Sequence, residues 1–123
     1  DLDDFSRANK STHAHGDDVL REFGRVIREA CRETDIPCRR GGEEFTVILP
    51  DTECSAALRV DARIRALVSA TEFPHLGRLT YSSGVTMLRE GDDAVTVDER
   101  ASELVNLVKR RGKDNVAHDC GEA

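Results

Sequence analysis

The sequence predicts an α/β sandwich, with helices packed on one sheet. Three observations predict it. Three stretches place apolar residues at steps of three and four, the period of a helix with one buried face. Between and after them fall short runs rich in β-branched residues, bounded by Gly, Pro and Asp, as strands are. The chain has 123 residues, of which 38% are hydrophobic, enough for one core and short for two domains. Helices and strands alternating around one core imply a layered arrangement.

The elements follow in order. From Asp17 to Glu33 the apolar residues Val19, Leu20, Phe23, Val26, Ile27, Ala30 and Cys31 define one helix face. Asp17 and Asp18 suit the positive end of that helix's dipole. Pro37 forbids continuation of the helix, and Phe45-Thr46-Val47-Ile48-Leu49, stopped by Pro50-Asp51, reads as a strand. Gly41-Gly42 between extended segments is a hairpin signal. Ala57, Val60, Ile64, Leu67 and Val68 predict a second helix over roughly Glu53 to Ala70. Leu79 to Met87, rich in Thr, Val and Tyr, reads as a strand, and Gly91-Asp92-Asp93 as a loop. Ala101, Leu104, Val105 and Val108 predict a third helix, stopped by Gly112. Asn115-Val116-Ala117 reads as a last strand, and His118 to Ala123 as a loose tail.

Charge and composition exclude several functions. Lys and Arg total 18 against 24 Asp and Glu, a net charge of −6, which opposes non-specific grip on nucleic acid. No window approaches the ~18 consecutive apolar residues of a membrane span. The opening residues carry no leader pattern. An acidic cluster at residue 1, with no strand or cap before it, reads either as numbering that begins inside a larger protein or as a removed N-terminal part. Cys31, Cys38, Cys54 and Cys120 show no CxxC pair and no zinc spacing. They read as reduced thiols of a cytoplasmic domain.

Acids recur beside turns: Asp1, Asp3 and Asp4 at the front, Glu43 and Glu44 at the hairpin. Solvated turn acids are the ordinary reading, since exposed Asp and Glu are the norm. Gly41-Gly42 followed at once by two acids points further. Missing Cβ atoms let backbone approach a ligand closely, and acids there would repel phosphate unless a cation intervened. Oxygen ligands without His or Cys suit Mg²⁺. The tip therefore reads as a metal-bridged phosphate site.

At these residues the chain resembles the GGDEF domain, the diguanylate cyclase family. Gly41-Gly42-Glu43-Glu44-Phe45 looks like its GGEEF form, and Asp1-Leu2-Asp3-Asp4-Phe5 like its D-[IL]-D-x-F. Asn9 and Gly16-Asp17 resemble the N and GD of N-D-x-x-G-H-x-x-G-D. Arg32-Glu33-Thr34-Asp35 resembles the inhibitory R-x-x-D, Thr80 to Val85 the T-x-S-x-G-V strand, and Lys109 with Gly112-Lys113 the closing K-x-x-G-[RK]. The likeness spans residues 1–117. The sequence departs from the pattern in six ways. The segment Asn9 to Asp17 is one residue short, Lys10 replaces Asp, Asp4 an apolar residue, Ser6 Lys, and Ser102 and Asn106 an Asp and a Tyr.

The resemblance implies a fold like the palm of nucleotidyl cyclases and polymerases, a central, mostly antiparallel sheet flanked by helices. It implies condensation of two GTP into cyclic di-GMP and two pyrophosphates, dependent on Mg²⁺ or Mn²⁺. Asp1, Glu43 and the Leu2 carbonyl would hold metal, with Glu43 or Glu44 as base. Asn9, Asp17 and His13 would read guanine. Phe5, Gly42, Lys109 and Lys113 would surround the phosphates. Arg32, Asp35 and Arg63 would form a product-inhibition site, although Arg32 and Asp35 also suit an ordinary salt bridge one helical turn apart. Implied partners are GTP, cyclic di-GMP, a second copy of the domain and an upstream sensor or dimerisation module. Nucleic acid and membrane contact are not expected, and the location is cytoplasmic, alone or as part of a membrane-anchored protein. The alternative is a catalytically inactive domain that senses cyclic di-GMP or GTP.

Overall fold

A computed structural model of the chain describes residues 1–9 and 12–120. A 3-10 turn, Phe5–Asn9, leads into α1 (His13–Ala30), then the hairpin β1 (Ile36–Gly41) and β2 (Glu44–Ile48). Next come α2 (Cys54–Ser69), β3 (Ser83–Val85), α3 (Ala94–Arg110) and β4 (Val116–His118). This is the α+β, palm-like class expected from the sequence. Among the described residues no helix is long and apolar enough to cross a membrane.

Helix α1 starts four residues before the expected Asp17, because Thr12 caps it. The Thr12 hydroxyl accepts from the Ala14 amide at 3.3 Å. It stops at Ala30 rather than Glu33, because the buried Asp35 carboxylate takes the Arg32 amide at 2.8 Å and its guanidinium at 2.8 Å. Local hydrogen bonding of this kind competes with helix propagation. In the hairpin, Gly41 and Gly42 take φ of 147° and 52°, a turn that side chains would resist. Arg39 and Arg40 belong to β1, the extended segment expected before the Gly41-Gly42 turn.

The strand expected over Leu79–Met87 divides between two neighbours. Thr80–Ser82 pairs with the front of the chain: the Asp3 amide donates to the Thr80 carbonyl at 3.0 Å and the Ser82 amide to the Asp1 carbonyl at 2.9 Å. Ser83–Val85 pairs in parallel with Val116–His118. The single sheet therefore appears as two two-stranded ladders. Leu2 joins them, bridged to Tyr81 and donating its amide to the Glu43 carbonyl at 3.2 Å. The core lies against this seam. Leu2 and Phe5 pack with Val19, Phe23 and Ile27 of α1, Val60, Ile64 and Val68 of α2, and Phe73 and Tyr81.

Helix α3 lies close on β3. A Cβ on Gly84 would stand 2.6 Å from the Ala101 carbonyl oxygen and 2.7 Å from the Leu104 Cβ. Gly84→Ala should therefore cost about 1–3 kcal/mol of stability, as overpacking does. Urea unfolding measures it, and an unchanged midpoint would contradict the packing.

Two expectations are corrected at the end of the chain. Cys54 and Cys120 are joined in a disulfide with Cα atoms 5.9 Å apart, while Cys31 and Cys38 are free. His118, placed by sequence in a loose tail, closes β4. Sequence periodicity could show neither, because the pair is brought together across 66 residues. Residues 121–123 of that tail, and Lys10, lie outside the described residues.

Candidate functional site

Three segments distant in sequence meet beside the Leu2 seam: the front of the chain, the hairpin tip, and the turn after α3. They wall a cavity of about 430 Å³, within the size range of small-molecule sites.

One wall is the start of α1. The Asn9 Oδ1 accepts from the Gly16 amide at 3.0 Å. Any side chain at Gly16 would collide with that carboxamide, which is the steric reason for glycine before Asp17. Asn9, His13 and Asp17 all line the cavity. The shortened segment between Asn9 and Asp17 thus leaves the expected base-reading residues together. The Asp17 carboxylate is exposed there, able to accept paired hydrogen bonds.

Charged side chains also line the cavity. Lys109, in the last turn of α3, lies 2.9 Å from Asp1 Oδ2. Lys113 lies 2.7 Å from Asp4 Oδ1. The hydrogen bond between them holds the Asp4 carboxyl below its usual range and the Lys113 ammonium above its own. Backbone strain places this pair. Asp4 has φ of 53°, Lys113 67° and Asp114 49°, each costing on the order of 1 kcal/mol or more for a non-glycine residue. Tertiary bonds hold the conformation. The Lys113 amide donates to the Val108 carbonyl, and the Asp114 amide to Asp3 Oδ2, both at 3.0 Å. Asp3 itself is only 2% exposed. It also accepts from the Thr80 hydroxyl at 2.8 Å and the Ser82 hydroxyl at 2.7 Å.

The residues at the seam fit a hard cation. Asp1 Oδ1 is buried and accepts no hydrogen bond among the described residues. A buried unpaired carboxylate oxygen is costly unless something neutralises it. Glu43 and Gly42 line the cavity; Asp1 is not among the lining residues and is tied to them through its ion pair with Lys109. This all-oxygen donor set suits Mg²⁺ or Mn²⁺.

The cavity gathers Leu2, Phe5, Asn9, His13, Asp17, Gly42, Glu43, Lys109 and Lys113 from the expected set. Glu44 is not among the lining residues; it is exposed on β2, 3.9 Å from Arg40. Two contributors were not singled out from sequence. Arg39 lines the cavity and donates from Nε to the Gly42 carbonyl at 3.0 Å, bracing the tip. Its position two residues before Gly41 was the available signal. Asp3 was visible only as one more acid of the front cluster.

Arg32, Asp35 and Arg63 lie apart from the cavity, around the C-terminal end of α1. The Arg32 guanidinium bonds Asp35 and, at 2.8 Å, the Thr52 hydroxyl. That pairing holds the Asp35 carboxyl below its usual range. Arg63 donates to the Ala30 carbonyl at 3.0 and 2.6 Å, capping the helix. Arg32 remains half exposed, with a side-chain accessibility of 52%.

Residues 1–115 match the family model described as "Diguanylate cyclase, GGDEF domain". The chain is 41% identical over 123 residues to the response regulator PleD of Caulobacter vibrioides, covering 94% of this chain and 27% of that protein. Its fold superimposes with a TM-score of 0.87 on diguanylate cyclase SiaD of Pseudomonas aeruginosa, solved with its activator SiaC. Those two are 32% identical, over 97% of this chain and 47% of that one. The GGDEF domain of DgcB from Caulobacter crescentus, solved with c-di-GMP, also gives a TM-score of 0.87. Its identity is 29%, over 96% of this chain and 73% of that one. The chain thus spans about a quarter of the length of PleD.

Proposed function

The chain belongs to the GGDEF domain family of diguanylate cyclases, and from that premise we propose that it condenses two GTP into cyclic di-GMP and two pyrophosphates. The observation that supports this reading is that one cavity is lined both by the proposed guanine readers, Asn9, His13 and Asp17, and by the charged residues Glu43, Lys109 and Lys113.

Asp17 accepts from the two edge donors of guanine, which adenine does not offer as a pair. The backbone at Gly42 admits the polyphosphate closely, and Lys109 and Lys113 neutralise it. Asp1, Glu43 and the Leu2 carbonyl would hold Mg²⁺ or Mn²⁺, which supplies charge neutralisation and a more acidic attacking hydroxyl when bound. Lys109 is shared between these tasks. Its ion pair with Asp1 would open if that carboxylate held a cation, which would free the ammonium for phosphate. Positioning and charge are most of what phosphoryl transfer asks of a protein. One cavity per chain holds one GTP, so two copies must face each other, each 3′-hydroxyl reaching the other's α-phosphorus. An upstream module that pairs the domains would set the rate. Arg32, Asp35 and Arg63 are the proposed product site, remote from the cavity. Feedback there acts on how the domains are oriented rather than by competition for GTP.

Incubation of the purified chain with GTP and Mg²⁺, followed by chromatography, tests the proposal. Cyclic di-GMP is the expected product, and Asp17→Ser should lower discrimination of GTP over ATP by about tenfold or more, since unpaired edge donors cost roughly 1–3 kcal/mol. Arg32→Ala should remove product binding with the initial rate kept.

A second reading has its own support. Lys109–Asp1 and Lys113–Asp4 pair the presumptive phosphate cations with acids of the front cluster. A domain that keeps these pairs binds nucleotide without turning it over. Tight GTP or cyclic di-GMP binding by calorimetry, with no product after prolonged incubation even at high protein concentration, would favour this sensor.

A further inference from the structure

Apart from the residues that line the cavity, Cys54, His118 and Cys120 cluster, with their sulfur and ring-nitrogen atoms all within 4.8 Å of one another. We propose that Cys54 and Cys120 are a reversible oxidation site, a redox latch that fastens the end of the chain to α2, with His118 as its proton acceptor.

Several features separate this pair from the other two cysteines. Cys54 is the first residue of α2, where backbone amides and the helix dipole favour a thiolate. The His118 ring stands beside both sulfurs and is exposed, so it can take a thiol proton and pass it to solvent. Both cysteines are partly exposed, within reach of a small disulfide. Cys31, by contrast, has its thiol pushed up by burial, and Cys38 has no cysteine partner among the described residues.

The step is thiol–disulfide exchange with a low-molecular-weight disulfide such as oxidised glutathione. One cysteine thiolate attacks that disulfide, forming a mixed disulfide and expelling one glutathione thiolate. The second cysteine thiolate then attacks the protein sulfur of the mixed disulfide and expels the other. Two protein thiols are oxidised and one glutathione disulfide is reduced to two thiols; the two protons leave by way of His118 to the departing thiolates.

The latch bears on the segment between α3 and Cys120. That segment carries Lys113 and Asp114 at the cavity, and Asn115, whose carbonyl accepts from the Ser83 amide at 3.0 Å. It then forms the three-residue ladder of β4. Asp119 adds an ion pair with Arg89 at 3.1 Å. Oxidation closes the far end of this segment covalently. Reduction leaves the near end held by the Asp3, Asp4 and Arg65 contacts of residues 113–115, and the far end held by the short ladder and the Asp119 contacts.

The test uses the chain with Cys31→Ser and Cys38→Ser, equilibrated in glutathione buffers from fully reduced to fully oxidised. Thiol alkylation with mass detection, Tm and hydrogen exchange are read on each sample. Cys54 and Cys120 are expected to lose reactivity together, within a monomer, and to regain it on reduction. Tm should rise on oxidation by on the order of 10 °C, the scale for closing a long loop in a chain of this size. Amides of Val116–His118 should exchange at least about tenfold more slowly. Cys120→Ser should behave as the reduced protein in every buffer, and His118→Gln should reach the same end state several-fold more slowly at neutral pH. Stable mixed disulfides with glutathione, cross-linked dimers, or an internal bond with unchanged Tm and exchange would overturn the latch. So would protection that requires Zn²⁺ under reducing conditions and vanishes with a chelator, which would make the cluster a metal site. An unchanged oxidation rate in His118→Gln would remove that residue from the step.

Discussion

Glu43→Gln is expected to lower cyclic di-GMP synthesis by at least about 100-fold while leaving the fold intact. Losses of that size follow removal of a single contact that stabilises transition-state charge. The substitution keeps the size and polarity of a half-buried side chain at the hairpin tip, and it leaves Gly41 and Gly42 in their positive-φ turn. What it removes is a carboxylate that lines the cavity, one of the two acids proposed to hold a cation; the other is Asp1, whose Oδ1 is buried without a hydrogen-bond partner among the described residues. Cation affinity should fall with it. Titration of Mn²⁺ by calorimetry, in the absence of nucleotide, separates this from a general defect, and the urea midpoint should stay within experimental error. Turnover within about threefold of the parent chain would sink the assignment of Glu43 to the metal.

Asp3→Ala should be the most destabilising single change among the acids of the front cluster, costing about 3 kcal/mol or more. Three donors converge on this carboxylate: the Thr80 and Ser82 hydroxyls and the Asp114 amide. Its removal strands the fully buried Ser82 hydroxyl and takes the charged acceptor from the Thr80 hydroxyl and the Asp114 amide at the partly buried edge of the site; hydrogen bonds to a charged group contribute roughly 1.5–3 kcal/mol each. The loss is also functional, because the Asp114 amide bond helps hold Lys113 and Asp114 in the left-handed region. Asp3→Asn keeps one acceptor oxygen and should fall between Ala and the parent. Urea unfolding of the three proteins measures the order. A cost under about 1 kcal/mol for Asp3→Ala would mean that the seam is held by Leu2 and its backbone pairing alone.

How much of this could be read in the chain differs from element to element. The three helices were legible because Val19, Phe23 and Ile27, or Val60, Ile64 and Val68, repeat at the helical period on one buried face. The hairpin was legible because Gly41-Gly42 names its own turn. The helix ends were not, because Thr12 and Asp35 act through side-chain bonds that periodicity does not carry. The strand over Leu79–Met87 was legible as extended chain. Its division between Asp1–Asp3 and β4 was not, because pairing partners lie far away in sequence.

The sequence by itself determined the family, the fold class and the residue types of the cavity, since those rest on local spacing and on motifs in a fixed order. Only the tertiary structure decided how those residues are engaged. It paired Lys109 with Asp1 and Lys113 with Asp4, made Asp3 a buried anchor and Arg39 a brace, left Glu44 exposed on β2 outside the cavity lining, and brought Cys54 to Cys120. The physical reason is common to all of these. Charge pairing, burial and disulfide formation depend on distance through space, and the folded backbone sets that distance by packing segments that one-dimensional spacing keeps far apart.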